Sequence, residues 1–373
     1  MEPRTNPFPL SYQLTPDQFC NRELEFKKVI ESIKKNKPVL LKGIRRIGKT
    51  SLLKKIEHDF KIQKNINVFY IDLYAARNQA DFIKHFARQS IGKSDPNNLK
   101  LMRDIANYFT YLRPFIEYSA IDGTSTINFN LDQEYSAQLT IEQLFSFLEK
   151  LTSPSIIIID EIQQLSSFNE SLTADFLFKN ITLSKNIQVI YSASICENSK
   201  KLMNKYEKHF LSIEAVDLFC IDHDLYRLHI FNLLKKNKIN IAETIVDQIL
   251  DWCRDHTFYV QFVCNRIFQN GIKQPDEWMI ERLFSDILYE HEAVYFSYRN
   301  LLTLNQWDLL RAIAKENGAR QVLGNEFIRK YNLGSTSSIQ TALAALIEKE
   351  MVIDAEGRFF VCDVFLSRWL ERS

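Results

Sequence analysis

The 373-residue sequence predicts an α/β core, a parallel sheet in a three-layer αβα arrangement, followed by an α-helical lid and a winged-helix domain. Three observations carry this prediction. Apolar, strand-like runs at 38–41, 68–73, 156–160 and 187–194 alternate with helical periodicity, the pattern of a sheet covered on both faces. From about residue 222 to 296 the periodicity is wholly helical. From about 302 the chain reads helix, helix, helix, then two short strands around a turn at 354–357, the order of a winged helix.

Taken in order, residues 1–18 are rich in proline and polar side chains and are expected to form an extended lead-in. A helix opens at 21–26 and runs to about Lys35, and a strand–loop–helix follows over 38–60. A second strand at 68–73 leads to a helix around 78–91. Residues 93–135 interrupt the alternation. There Asp122-Gly123 separates 115–120 from the alternating run 126–131, which predicts a hairpin inserted in the core. The sheet resumes at 156–160 and 187–194, and a last short strand is expected near 210–213. Ile245, Val246, Ile249, Leu250 and Cys253 mark one apolar helix face. The expected domains are therefore a core over 1–215 with its insertion at about 93–135, a lid over 216–297 and a winged helix over 298–373.

The chemistry is concentrated after the first strand. Gly43-Ile44-Arg45-Arg46-Ile47-Gly48-Lys49-Thr50 fits the phosphate-binding pattern G-x-x-x-x-G-K-[ST], and Ser51 continues into a helix. Glycines let backbone N–H groups turn inward around phosphates where a side chain would block them, and the helix adds its positive N-terminal end. Lys49 is expected to bridge phosphate oxygens, and the Thr50 hydroxyl to ligate Mg²⁺. The pattern predicts a P-loop NTPase core that binds a nucleoside triphosphate. Arg45 and Arg46 lie inside the loop. Either can neutralise phosphate charge, face a domain interface, or stand solvated.

Four isoleucines ending in Asp160-Glu161 supply the other half of such a site. A buried strand delivers Asp160 at its tip to hold Mg²⁺, and Glu161 follows as the general base for the attacking water. The strand ending Ser192-Ala193-Ser194 offers a further polar group. Ser194 is the candidate to hydrogen-bond the γ-phosphate or the lytic water, or else it caps its own turn.

The bulk numbers set limits. A hydrophobic fraction of 46% and a charged fraction of 25% are those of a globular chain. Forty-seven basic against 46 acidic residues give a net charge of +1, so no global field favours nucleic acid or an anionic membrane. No apolar run approaches a membrane span, and no secretory signal core opens the sequence. Six scattered cysteines, none in C-x-x-C spacing, read as free thiols, with Cys253 and Cys264 buried. Zinc ligation lacks the paired histidines and cysteines it needs. A cytoplasmic location is expected.

The run from Phe19 through Asn21-Arg22-Glu23 to Glu25, the paired arginines of the loop, and Ile156 to Glu161 together resemble the archaeal-type ATPase family, in the STAND and AAA+-like branch of P-loop ATPases. The resemblance implies ATP as the nucleotide and places Phe19 and Arg22 near the adenine. It also implies a lid element of Gly-His-Pro type, which appears here as Asp255-His256-Thr257-Phe258-Tyr259. His256 remains available to the nucleotide, or is a core histidine at a helix start. The proline is absent, and Asn21 stands where the family usually has glycine.

In the winged helix, a helix from Ser335 to Lys349 is expected to bury Ile339, Leu343, Ala344, Leu346 and Ile347 and to face Gln340 and Thr341 outward. Residues 301–373 hold nine basic and nine acidic side chains, and Arg320, Arg329 and Lys330 form at most a small patch. The leading expectation is a Mg²⁺-dependent ATPase acting as a nucleotide-driven conformational switch in signalling or regulation. It would bind ATP and ADP, with a protein partner and possible self-association. The alternative is an ATP-dependent DNA-binding protein resembling origin-recognition ATPases.

Overall fold

Strand register fixes the architecture of the core. In the computed structural model, which describes residues 6–10, 19–62, 65–92, 98–120, 123–168 and 172–372, the chain separates into two compact units. The first comprises residues 22–45 and 49–218. Helix α1 (Glu23–Lys34) precedes β1 (Val39–Gly43), and α2 (Lys49–Ile62) leads to β2 (Asn67–Asp72) and α3 (Gln79–Ile91). An insertion of α4 (Leu99–Tyr108), β3 (Leu112–Tyr118) and β4 (Ser125–Leu131) intervenes. The core then continues through α5 (Ala137–Glu149), β5 (Ser155–Asp160), α6 (Thr173–Leu183), β6 (Ile187–Ser194), α7 (Glu197–Lys205), α8 (Glu207–Phe210) and β7 (Glu214–Leu218).

The five-stranded sheet runs β2-β5-β6-β1-β7, with every pairing parallel. Strand β5 is buried along its whole length, as its unbroken isoleucine run requires of a strand covered on both faces. Gly43 pairs with Ser194, and Asp72 with Asp160. Four strands distant in sequence thus finish together at the C-terminal end of the sheet, the position where open α/β sheets bind ligands.

The inserted hairpin forms a sheet of its own, with Leu112 opposite Leu131 and Tyr118 opposite Ser125. Asp122 of the expected turn lies outside the described residues. Gly92 seats the hairpin against the end of α3. A Cβ there would lie 2.4 Å from the Arg88 carbonyl oxygen and 2.7 Å from that of Ile127, so only glycine permits the approach.

The strand expected near 210–213 is displaced. Residues 207–210 are helical, and the strand begins at Glu214. The apolar run that suggested a strand packs sideways instead, with Phe210 edge-on to Phe178 at 5.5 Å. The real strand alternates, burying Val216 and Leu218 while Asp217 reaches Lys42 at 3.2 Å.

Of the described residues, the second unit comprises 6–10, 19–21, 46–48 and 219–372. Helices α9 (His223–Lys236), α10 (Glu243–Cys253), α11 (Thr257–Gln269) and α12 (Glu277–Leu301) precede α13 (Leu304–Glu316) and β8 (Ala319–Arg320). Then come α14 (Asn325–Lys330), α15 (Thr336–Glu348), β9 (Val352–Ala355), β10 (Arg358–Val361) and α16 (Val364–Arg372). The three short strands pair antiparallel in the order β8-β10-β9, and Gly357 makes the β9–β10 turn at φ 78°. Strand β8 was not anticipated, because two residues carry no periodicity. In α15 the buried face is Ile339, Ala342, Leu343 and Leu346, while Ala344 is exposed. The expectation for Ala344 fails because residues 339, 342, 343 and 346 follow the i, i+3, i+4, i+7 stripe, and 344 falls outside it.

One hydrophobic cluster joins residues from α9 to α16, and it also contains Phe8. This part of the expected lead-in is therefore core. Phe8 is fully buried, and its carbonyl accepts a 2.6 Å hydrogen bond from the Asn265 side chain. The contacts predict that Phe8→Ala destabilises this unit by about 3–5 kcal/mol, the cost of emptying a buried aromatic site. Urea unfolding followed by tryptophan fluorescence measures it, and a loss below about 0.5 kcal/mol, the range of surface substitutions, would show that the segment only rests on the unit.

Candidate functional site

Strand β1 delivers Gly43 to the sheet edge, and the chain turns through residues 44–48 before α2 starts at Lys49. Gly48 adopts φ 104° with open space where a Cβ would stand, so the turn needs glycine for its backbone angle alone. Lys49 is 3% exposed. Its ammonium donates to the carbonyls of Gly43 (3.1 Å) and Ile44 (3.0 Å) and to the Ser194 hydroxyl (3.1 Å). Burial holds its pKa below the ordinary lysine value, against the opposing pull of Glu161 and Asp160. A buried ammonium satisfied by two carbonyls and a hydroxyl is short of negative charge, which suits it to receive an anion.

Asp160 is 2% exposed and accepts hydrogen bonds from every side. Thr50 Oγ1 donates to Oδ2 at 2.8 Å and the Tyr70 hydroxyl donates to the same oxygen at 2.5 Å. The Ser192 hydroxyl and the Glu161 backbone N–H, the latter at 3.1 Å, donate to Oδ1. Burial, followed by the Asp160 charge, raises the Tyr70 phenol far above its usual range, so it remains a donor. The Lys54 ammonium lies 3.2 Å from the centroid of the Tyr70 ring.

Glu161 leaves the strand in the left-handed region, at φ 57°. Its carboxylate accepts from Ser194 Oγ at 3.0 and 3.2 Å and from the Gln163 side-chain amide. Gln163 Oε1 in turn accepts the Ser194 backbone N–H at 3.3 Å. A continuous chain of polar contacts therefore runs from Lys49 through Ser194 to Glu161. Thr50 and Asp160 present two hard oxygens side by side, the donor set of a Mg²⁺ site completed by phosphate and water. Among the described residues no group of three or more His, Cys, Asp or Glu could hold a metal ion. A nucleotide-bridged Mg²⁺ needs none, so these residues fit it.

The other expected residues fall as follows. Gly43, Ile44, Arg45, Lys49, Thr50 and Ser51 belong to the first unit, with Asp160, Glu161 and Ser194. Arg45 is exposed. Arg46, Ile47 and Gly48 group with the second unit. There the Arg46 guanidinium lies 4.6 Å from the Phe258 ring centroid and 3.9 Å from Asp363, and Thr257 Oγ1 donates to the Ile47 carbonyl at 3.2 Å. Arg22, in the first unit, is 6% exposed and paired with Glu25 at 3.0 Å. Phe19 is half-buried and His256 buried, both in the second unit, and the His256 ring stands edge-on to Tyr259 at 4.8 Å. Sequence reasoning missed Tyr70, Ser192 and Gln163. The available signal was positional for two of them: Ser192 lies two residues before Ser194 and Gln163 two after Glu161.

Tyr70→Phe removes one donor from a buried carboxylate and leaves the ring in place. We expect it to lower stability of the first unit by about 2 kcal/mol, as for a hydrogen bond to a charged acceptor. Thermal denaturation of the variant tests this, and an unchanged midpoint contradicts it.

A family model described as an ATPase domain predominantly from Archaea matches residues 19–236, and one described as a probable winged helix domain matches residues 293–372. No curated protein matches the chain. Among solved structures, the Walker-type ATPase of Pyrococcus abyssi is similar with a TM-score of 0.67 at 18% identity, over 98% of this chain and 99% of that one. ORC2 of Aeropyrum pernix in its ADPNP–ADP complexes gives 0.58 at 13% identity, over 94% and 91%. ORC1 of Aeropyrum pernix in complex with DNA gives 0.56 at 12%, over 98% and 96%. These likenesses show the P-loop NTPase fold. Together with a family model that spans more than half of the chain, they establish that it belongs to the ATPase family found predominantly in Archaea, an ATP-binding P-loop ATPase with a winged-helix domain.

Proposed function

We propose that the chain is a Mg²⁺-dependent ATPase that acts as a nucleotide-driven conformational switch in signalling or regulation, hydrolysing ATP slowly until a partner protein releases it. The observation that carries the proposal is the contact chain Lys49–Ser194–Glu161 beside the Thr50–Asp160 pair. The loop 43–50 cradles the phosphates, with Lys49 exchanging its carbonyl partners for phosphate oxygens. Thr50 and Asp160 hold Mg²⁺, which when bound neutralises charge developing on the transferred phosphoryl group. Glu161 takes the proton from the attacking water. Ser194 hydrogen-bonds the γ-phosphate or that water. Phe19, Arg22 and His256 serve the adenine.

The slow turnover follows from Glu161. Its carboxylate is engaged by Ser194 and Gln163, so it must exchange these partners before it can orient water. In this reading a helical lid over 216–297 and a winged helix over 298–373 carry the output of the switch. No helix of the described residues is long and apolar enough to cross a membrane, and we assign the chain a cytoplasmic setting.

A second reading, ATP-dependent DNA binding, rests on the winged-helix match and on likeness to an origin-recognition protein whose structure contains DNA. Charge weighs against it. Lys330, one of three cations in the small patch, is paired with Glu316 at 2.5 Å, and the exposed side of α15 presents Ser337, Gln340 and Thr341.

Steady-state ATP turnover by the purified chain, with and without duplex DNA, separates the two. Turnover below about 10⁻² s⁻¹, the scale of a switch enzyme, and indifferent to DNA supports the first reading; marked stimulation by DNA supports the second. Glu161→Gln should retain ATP binding and lose about 10²–10⁴-fold in turnover. Lys49→Ala should lose ATP affinity, and unchanged affinity would refute the assigned phosphate site.

A further inference from the structure

We propose that a cavity among α12, α13 and α16 of the second unit is a binding site for a nucleotide-sized anion carrying an aromatic ring, with the chemistry of a nucleoside monophosphate. The cavity is an open cleft with a volume of about 540 Å³, within the range of small-molecule sites. Its charge is one-sided. Arg299, Arg311 and Arg372 line it against a single carboxylate, Glu292. That carboxylate already accepts the Trp369 indole N–H at 3.3 Å.

The guanidiniums are under-used. Among the described residues none of the three is ion-paired, whereas Arg227, Arg254, Arg266 and Arg368 of the same unit all are. Arg311 Nε is buried with no hydrogen-bond partner. Among the described residues Arg372 donates to Ser285 Oγ alone, at 3.4 Å, and Arg299 lies 5.6 Å over the Trp307 ring. The buried Arg311 Nε without a partner carries a free-energy cost that an anion in the cavity would remove.

Aromatic surface completes the site. Trp307, 5% exposed, and Trp369 meet edge to face at 6.2 Å, and Phe296 stands edge-on to Trp369 at 5.2 Å. Phe296 and Tyr289 remain 54% and 77% exposed, and so leave faces on which a base can stack. Arginine beside aromatic rings recognises a planar ring and a phosphate together. A single nucleotide fits better than a strand. The three arginines come from three helices and converge on one cavity instead of marking a track, and residues 301–373 balance nine basic with nine acidic side chains. A monophosphate also lacks the β- and γ-phosphates that the loop at 43–50 is built to hold, so the two sites are separable.

Isothermal titration of AMP, GMP, CMP and UMP into the full chain tests the proposal. At least one should bind saturably at one site, equally well in Lys49→Ala. Affinity should fall about tenfold in Arg299→Gln and in Arg372→Gln, both at exposed helix positions, with ATP turnover unchanged. No saturable binding by any of the four overturns the proposal. So does binding that is lost in Lys49→Ala or indifferent to both arginine variants. Tighter binding of a ten-residue oligothymidylate than of any mononucleotide also overturns it, and assigns the cavity to single-stranded nucleic acid.

Discussion

The site depends on keeping one buried carboxylate in place. Asp160 is withdrawn from water at the tip of β5 and is tolerable there only because four donors surround it. Those donors come from α2, β2, β6 and the residue that follows Asp160 itself. Their convergence rests on parallel register: a one-residue slip of β5 would point the carboxylate to the opposite face of the sheet. The isoleucine run, buried on both sides, resists such a slip through packing. Fold and chemistry are therefore coupled through one strand.

In the second unit the lid-like helices and the winged helix share a single hydrophobic cluster. Trp252 of α10 stacks on Phe284 of α12 at 4.0 Å and tilts against Phe365 of α16 at 5.3 Å. Polar contacts reinforce the same seam, with Arg254 held by Ser367 and Glu371, and Arg368 donating to the carbonyls of Asp251 and Trp252. Motion of the winged helix on its own would have to expose this aromatic surface, so motion that carries both pieces together is less costly.

Legibility in the sequence followed the distance over which information acts. The loop from Gly43 to Thr50 and the pair Asp160-Glu161 were readable because their chemistry is written in consecutive residues on a strand end. Ser194 was reachable because it ends the next strand. Tyr70 and Gln163 were not, since their partners are chosen by strand register and by a left-handed turn at Glu161, neither of which local composition encodes. The misplaced strand at 210–213 shows the same limit: an apolar run does not say whether its residues join a sheet, pack on an aromatic cluster as Phe210 does, or stand exposed as Leu211 does. Arg46 was left with several possible roles, and its contact with Phe258 depends on residues more than two hundred positions away.

The seating of Phe8 has a consequence for biosynthesis. Its partner Asn265 lies 257 residues further along the chain. The ribosome releases Phe8 before the helices of the second unit, yet the core that receives it does not exist until the chain after Phe219 has been made. For that interval, at about 5–20 residues per second, an apolar tether stays unclaimed while the intervening sheet forms. The second unit is completed by a residue made before the first unit and by helices made after it, so it cannot mature strictly in order of translation.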